Sequence, residues 1–394
     1  MSLVDLDPAA ARAGRIDCAC GPLAGEGGKD QSRTYSSETY SSERYSSETY
    51  SPETYSPEIW RLTLGFGFAV LAQALMLSTL PVAGMIIAPH PSLAYIPFAL
   101  TLLGAALASF PASLLLDQFG RRAAFALGAS LGMAGGLLAG WAIISRHFPG
   151  LCVGALWLGV AQGFALFYRH AAASSRAGGS RAALTVLAGG CAASLLVPAT
   201  IALSRQALGP LADAALMLLA GIASFAPLPF MLALPHRLAD RAEDKALDGF
   251  GAWFWPATGM GACAWFAMAH VMTGAPSALI GCGFGATIVG GLVSWHLVAM
   301  YGPMALAAHR RTALPTALAI GAGAGLLALA IALPRIGAIT IELCLILGGT
   351  GWSLTQIGLS RLLYDGRGRS RPALAFHDTI ILGSALLGVL SAAT

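Results

Sequence analysis

PASLLLDQFGRRAAF, residues 111–125, sets Asp117, Arg121 and Arg122 within six positions of a mostly apolar stretch. Charged residues make up only 11% of the 394-residue chain, against about 25% in an ordinary soluble domain. Hydrophobic residues reach 56%, and the mean hydropathy is +0.69. The apolar residues come in blocks of roughly 20, the length that carries a helix across a bilayer. Lipid satisfies no backbone polar group, so such blocks must be helical. The chain reads as an all-α membrane protein, and the three charges as a loop between two of its helices.

Outward from that loop, apolar spans fall at about 62–84, 92–116, 122–144, 149–168, 182–204, 211–234, 251–271, 283–307, 314–333, 338–361 and 373–393, eleven in all. Loop signals such as Pro89-His90-Pro91 and Gly209-Pro210 punctuate them. Orientation follows from Lys and Arg, which gather in cytoplasmic loops. The N-terminal segment and the even loops hold 20 of these residues, and the odd loops only Arg146, Arg205 and Arg335. The N-terminus is therefore expected in the cytoplasm. One helix more or fewer would exchange every later loop and spoil the segregation.

Residues 1–60 are polar and carry a pentapeptide repeat in which Tyr35, Tyr40, Tyr45, Tyr50 and Tyr55 recur every five positions. That period fits neither a helix nor a strand face. Ser, Thr, Glu and Pro bury too little surface to fold, so a disordered cytoplasmic tail is expected. The seven cysteines are scattered, and Cys18-Ala-Cys20 has no further Cys/His pair to complete a metal site. No cofactor or metal is expected.

The charged loop has a simple reading in which Arg121 and Arg122 anchor the cytoplasmic side. That leaves Asp117 unexplained, because a carboxylate at a helix C-terminus opposes the helix dipole. Nearby arginines or the N-terminal end of another helix should compensate it. LLLDQFGRRA (Leu114 to Ala123) resembles the helix 2–3 loop signature of the major facilitator superfamily, Gly-x-Leu-Ala-Asp-Arg-x-Gly-Arg-Arg/Lys. Leu115, Asp117, Gly120, Arg121 and Arg122 match it; Ser113 stands for the first Gly and Gln118 for the first Arg. Tyr168 to Pro198 is similar to the helix 4–5 region of bacterial permeases in that superfamily, and Met272 to Gly281 and Trp295 to Pro303 to their helix 7–8 segment.

The resemblance implies two pseudo-symmetric bundles, residues 61–234 with six helices and 251–394 with five, joined by a cytoplasmic linker at 235–250. Twelve helices are usual in the family, so the reading expects the twelfth to be missing. It implies a gating loop of Asp117, Gly120, Arg121 and Arg122; Arg169, at the cytoplasmic end of helix 4, either gates with them or only complements the helix C-terminus. It also places the protein in a bacterial inner membrane as a monomer.

Polar side chains inside a membrane tend to face a cavity. In this fold helices 1, 4, 7 and 10 line the central path, which marks Gln73, Gln162 and Gln356, with Trp352, as the substrate pathway. Each Gln has a plain alternative as a bond between helices. His296 is a candidate proton carrier, its ordinary pKa being about 6.5, and equally a packed histidine. Glu342, the other candidate for proton coupling, lies near an outer helix end, where water reaches it and an outer-mouth role or simple solvation is the alternative. Asp378 is expected to be shallow and similarly wetted, which leaves no carboxylate deep in the membrane.

The expected function is secondary transport of a small organic solute by alternating access. Helix 5, with Gly189, Gly190 and Pro198, resembles the antiporter signature of drug exporters, so export is the first expectation and uptake the second. Protons are a candidate coupling partner, the lipid bilayer surrounds the chain, and no nucleic acid is expected. The rival reading is a membrane receptor or scaffold descended from such a transporter. An enzyme is not expected, since His-Glu-x-x-His, Gly-x-Ser-x-Gly and a phosphate-binding loop are all lacking.

Overall fold

The computed structural model describes residues 56–175, 178–234, 250–281, 283, 286–309, 314–333, 337–365 and 370–393. The repeat segment through Tyr55, linker positions 235–249 and the Arg310-Arg311 turn lie outside these residues.

Among the described residues twelve α-helices follow one another: α1 (Pro57–Ile87), α2 (Ile96–Gln118), α3 (Gly120–Ile144), α4 (Phe148–Ala173), α5 (Ser180–Leu208), α6 (Ala212–Phe225), α7 (Leu228–Leu232), α8 (Phe254–Gly281), α9 (Ala286–His309), α10 (Thr316–Ala332), α11 (Ala338–Tyr364) and α12 (Arg371–Ala393). Eight stretches are long and apolar enough to cross a bilayer, and one of them, Ser180–Leu232, has 53 residues, room for two crossings. The 28-residue α8 carries no Asp, Glu, Lys or Arg, and the 17-residue α10 is apolar but shorter. Counting Ser180–Leu232 twice and adding α8 and α10 gives the eleven expected crossings, with α6 and the short α7 sharing the sixth.

Local chemistry sets the helix ends. Ser56 caps α1 by accepting from the Ile59 amide at 3.3 Å, and Pro57 opens the first turn. The helix thus begins inside what the sequence suggested was tail. His147 caps α4 through Nδ1, which accepts from the Gly150 amide at 3.0 Å. Between α2 and α3 the chain turns on Gly120 at φ +77°, a left-handed conformation that L side chains rarely adopt. The seventh crossing runs ten residues beyond the expected end at 271: Thr273-Gly274-Ala275-Pro276 reads as a turn in sequence but continues α8.

Large apolar side chains such as Leu107, Leu195, Leu203 and Leu306 are mostly exposed, which suits a lipid surround. Trp60, Trp253 and Trp255 are exposed near the end where α1 begins, and Trp141 near the other end, as in the aromatic belts of membrane proteins.

Two bundles form. In the first, α4 packs on α2 and α3, α6 on α3, and α1 on α5; in the second, α11 packs on α8, α9 and α10, and α12 on α8. Small residues permit this closeness. A Cβ on Gly159 would stand 2.0 Å from the Thr101 carbonyl oxygen, and one on Gly388 2.4 Å from that of Phe266. Across the bundles α2 meets α12 and α5 meets α9. These are the second and fifth crossings of one half against the fifth and second of the other, so the two contacts exchange under a pseudo-twofold axis. Of the glycines at 321, 323 and 325, only Gly323 is in close contact, facing Gly351 and Thr355 of α11.

Candidate functional site

Asp117 and Arg121–Arg122, neighbours in sequence, have different partners in space. Asp117, at the end of α2, pairs across the bundles with Arg371, the first residue of α12. The expected compensation is thus met by an arginine that stands at a helix N-terminus. Arg121 stays within the first half: it is buried, pairs with Glu58 of α1, and donates to the Ser174 hydroxyl at 3.1 Å. Arg122 donates through Nε to the Leu234 carbonyl at 2.6 Å, while Arg61 donates to the Ala233 carbonyl at 2.8 Å. Two arginines therefore cap the carbonyl end of α7.

The pseudo-twofold partner of the Asp117 contact is Arg181, the second residue of α5, whose Nε donates to the Ala308 carbonyl near the end of α9 at 3.0 Å. The second repeat has no carboxylate at this position, and a backbone oxygen accepts instead. Beside it, Asp365, just past α11, accepts from both the amide and the hydroxyl of Ser180 at 3.0 Å each. That carboxylate sits at the N-terminus of α5, where the helix dipole favours it.

Deeper in lies a cluster built on the buried Arg169, His170, His377 and Asp378. Arg169, one turn before the end of α4, donates from Nη2 to Asp378 Oδ1 at 2.5 Å. His170 Nε2 meets Asp378 Oδ2 at 2.8 Å, and the Tyr364 hydroxyl meets His170 Nδ1 at 2.7 Å. With the hydroxyl donating to Nδ1, the proton on Nε2 faces the carboxylate, and every polar atom of the imidazole is used. His377 is held by the Thr258 hydroxyl at 2.9 Å. The expectation of a wetted Asp378 is corrected: it lies two turns into α12, but its side chain is 0% exposed. The side chains of Arg169 and His170, from α4 of the other half, close over it, which linear position does not reveal. His170 and Tyr364 went unmarked in the sequence because they adjoin loops.

Arg169 also walls a cavity of about 50 Å³ between the bundles, room for a few waters and no more. Gln73 and Gln162 line it, as expected, and Gln162 Nε2 donates to the Ala69 carbonyl at 3.0 Å. Trp352 lines it as well, in an aromatic wall that the sequence only half disclosed. Its ring stands edge-on to Trp265 (centroids 5.2 Å apart, planes at 87°) and to Tyr301 (6.1 Å, 80°). Four methionines, Met76, Met268, Met272 and Met300, fill much of the remainder. Gln356, also expected here, is buried outside the lining, with its Nε2 unpartnered. His296 is buried between α9 and α11, where Nδ1 meets the Leu345 carbonyl at 2.6 Å. Glu342 is half-buried in the second turn of α11 at the opposite end of the molecule, and it too is not part of the lining. Among the described residues no group of three or more His, Cys, Asp or Glu side chains converges as a metal ion would require.

Two pseudo-symmetric helical bundles thus enclose a cavity, and polar contacts join them at one end. No family model matches the chain. It is 28% identical over 342 residues to the riboflavin transporter RfnT of Brucella anthropi, a match covering 80% of this chain and 84% of that protein. Among solved structures, the proton:xylose symporter XylE of the major facilitator superfamily superposes with a TM-score of 0.64 at 13% identity, covering 86% of this chain and 87% of that one. The human organic anion transporter MFSD10 (TETRAN) gives 0.60 at 17% identity, with 87% and 93% covered. The chain has the fold of the major facilitator superfamily, and the relative that it matches over most of its length is a transporter.

Proposed function

We propose that the protein moves a small organic solute by alternating access, with riboflavin as the first candidate. The observation that carries this reading is the cavity walled by both bundles and closed at one end by Arg169–Asp378, Asp117–Arg371 and Ser180–Asp365. In this reading that end, where the basic loops gather, faces the cytoplasm of a bacterial inner membrane, and the protein acts as a monomer. The moving bodies are residues 61–234 and 251–394, with the linker at 235–250 between them. A cavity that admits only a few waters accepts a solute after the bundles part, so loosening these contacts is part of the cycle.

In this reading Asp117 gates together with Arg371, while Arg121 and Arg122 brace the first half. Gly120 provides the turn that sets Asp117 beside α12. Asp378 with His170 takes the proton-coupling role first sought at His296 and Glu342, because a proton on that carboxylate removes the charge facing Arg169. The relative named for riboflavin supports the solute. Gly189 and Gly190, the basis for expecting export, pack against Thr63 and Tyr301, so they report helix contact and not direction.

The test is reconstitution of the full chain in liposomes with radiolabelled riboflavin on one side. Protein-dependent movement down an imposed gradient is expected, slowed by Asp378→Asn. Saturable binding with no movement in either direction would favour the receptor reading instead.

A further inference from the structure

The cavity wall holds donors whose hydrogen bonds are unmade. Three of its residues hold a buried N–H with no hydrogen-bond partner: Trp265 Nε1, Trp352 Nε1 and Arg169 Nε. An indole N–H and a guanidinium N–H can only donate. The amide nitrogen of Gln162, which could have joined them, is already held by the Ala69 carbonyl at 3.0 Å. A buried donor left unmade costs free energy until something accepts from it. Whatever satisfies these three groups must bring acceptors.

Shape and charge narrow the occupant further. Trp352 stands edge-on to both Trp265 and Tyr301, so a flat solute finds both ring faces and ring edges to lie against. The methionines of the lining are flexible and polarizable, and they adapt to an aromatic plane as the wall opens. The one charged residue in the lining is Arg169, and Asp378 neutralises it at 2.5 Å. A neutral solute suits a site with no net charge.

We propose that the cavity selects a neutral, planar heteroaromatic solute with two or more acceptor atoms, ring carbonyl oxygens or ring nitrogens, along one edge. Trp265, Trp352 and Arg169 read that edge. This rests on the reading of the cavity as the solute site, and it adds which atoms of the solute are recognised and by which side chains.

The test is equilibrium binding to the full-length protein in lipid nanodiscs. Lumiflavin, which keeps the acceptor edge of riboflavin without its sugar chain, is compared with proflavine, a planar cation whose edges carry amino donors. Lumiflavin should bind at least a hundredfold tighter. Trp265→Phe and Trp352→Phe keep a ring and remove one donor each, so each should weaken lumiflavin about five- to tenfold and leave proflavine unchanged. Should one variant fail to unfold cooperatively, the other carries the comparison. Equal affinity for the two compounds, or wild-type lumiflavin affinity in the folded variants, overturns the proposal. Riboflavin flux in liposomes that persists while both variants bind lumiflavin normally would sink this inference and leave the transport reading intact. Donor-dependent binding without flux would do the reverse.

Discussion

Helix α12 meets the first bundle with two opposite charges seven residues apart, hence on one face of the helix. At its first residue Arg371 faces Asp117, with side chains 24% and 32% exposed; two turns on, Asp378 faces Arg169, with side chains 0% and 5% exposed. The outer pair sits in partial solvent, where an ion pair contributes about 0–1 kcal/mol. The inner pair has little water to screen it, and removing one partner from such a pair costs about 3–5 kcal/mol. Two contacts of the same kind across the same interface therefore differ severalfold in what they hold.

The largest effect should come from Asp378→Asn. Arg169 is left buried and unpaired, and the closed form should lose roughly a hundredfold or more in population, read as labelling of cysteines placed in the cavity wall from the cytoplasmic side. Arg169→Met with Asp378→Leu separates gating from folding: replacing both charges by apolar groups should return the thermal unfolding midpoint close to that of the parent, without restoring normal transport. Tyr364→Phe removes only the hydroxyl on His170 and should shift the same equilibrium by about 1 kcal/mol, roughly fivefold.

Asp117→Asn acts on the outer pair and should slow transport less than about fivefold. The difference should shrink as salt is raised, because screening reaches exposed charges first. The smallest change is expected at Arg122→Gln. It loosens the α7 cap within one bundle and should lower stability by under about 1 kcal/mol without altering the solute that is moved. An Asp117 effect equal to that of Asp378 would erase the distinction between the pairs.

The same contrast explains what could be read in advance. Apolar blocks and the segregation of Lys and Arg were enough for eleven crossings, because lipid imposes length and helicity on each block separately. The loop motif pointed to Asp117, and its partner had the chemistry expected of it. The loop also drew Arg121 and Arg122 into the same role, although Arg121 turns to Glu58 and Arg122 to Leu234 within their own bundle. Asp378 was passed over because depth along a helix says nothing of which face another bundle covers. Trp265 and Tyr301 were missed for a different reason. A search for polar groups in apolar helices finds glutamines, whereas an indole looks like packing until its N–H is seen to lack a partner.

The most direct measurement is the distance between spin labels at Gln118→Cys and Ser370→Cys, flanking the Asp117–Arg371 contact, in nanodiscs made with and without Asp378→Asn. The account predicts a single short distance in the parent and a second, longer population when the buried carboxylate is neutralised. Superimposable distributions from two cooperatively folded proteins would contradict it.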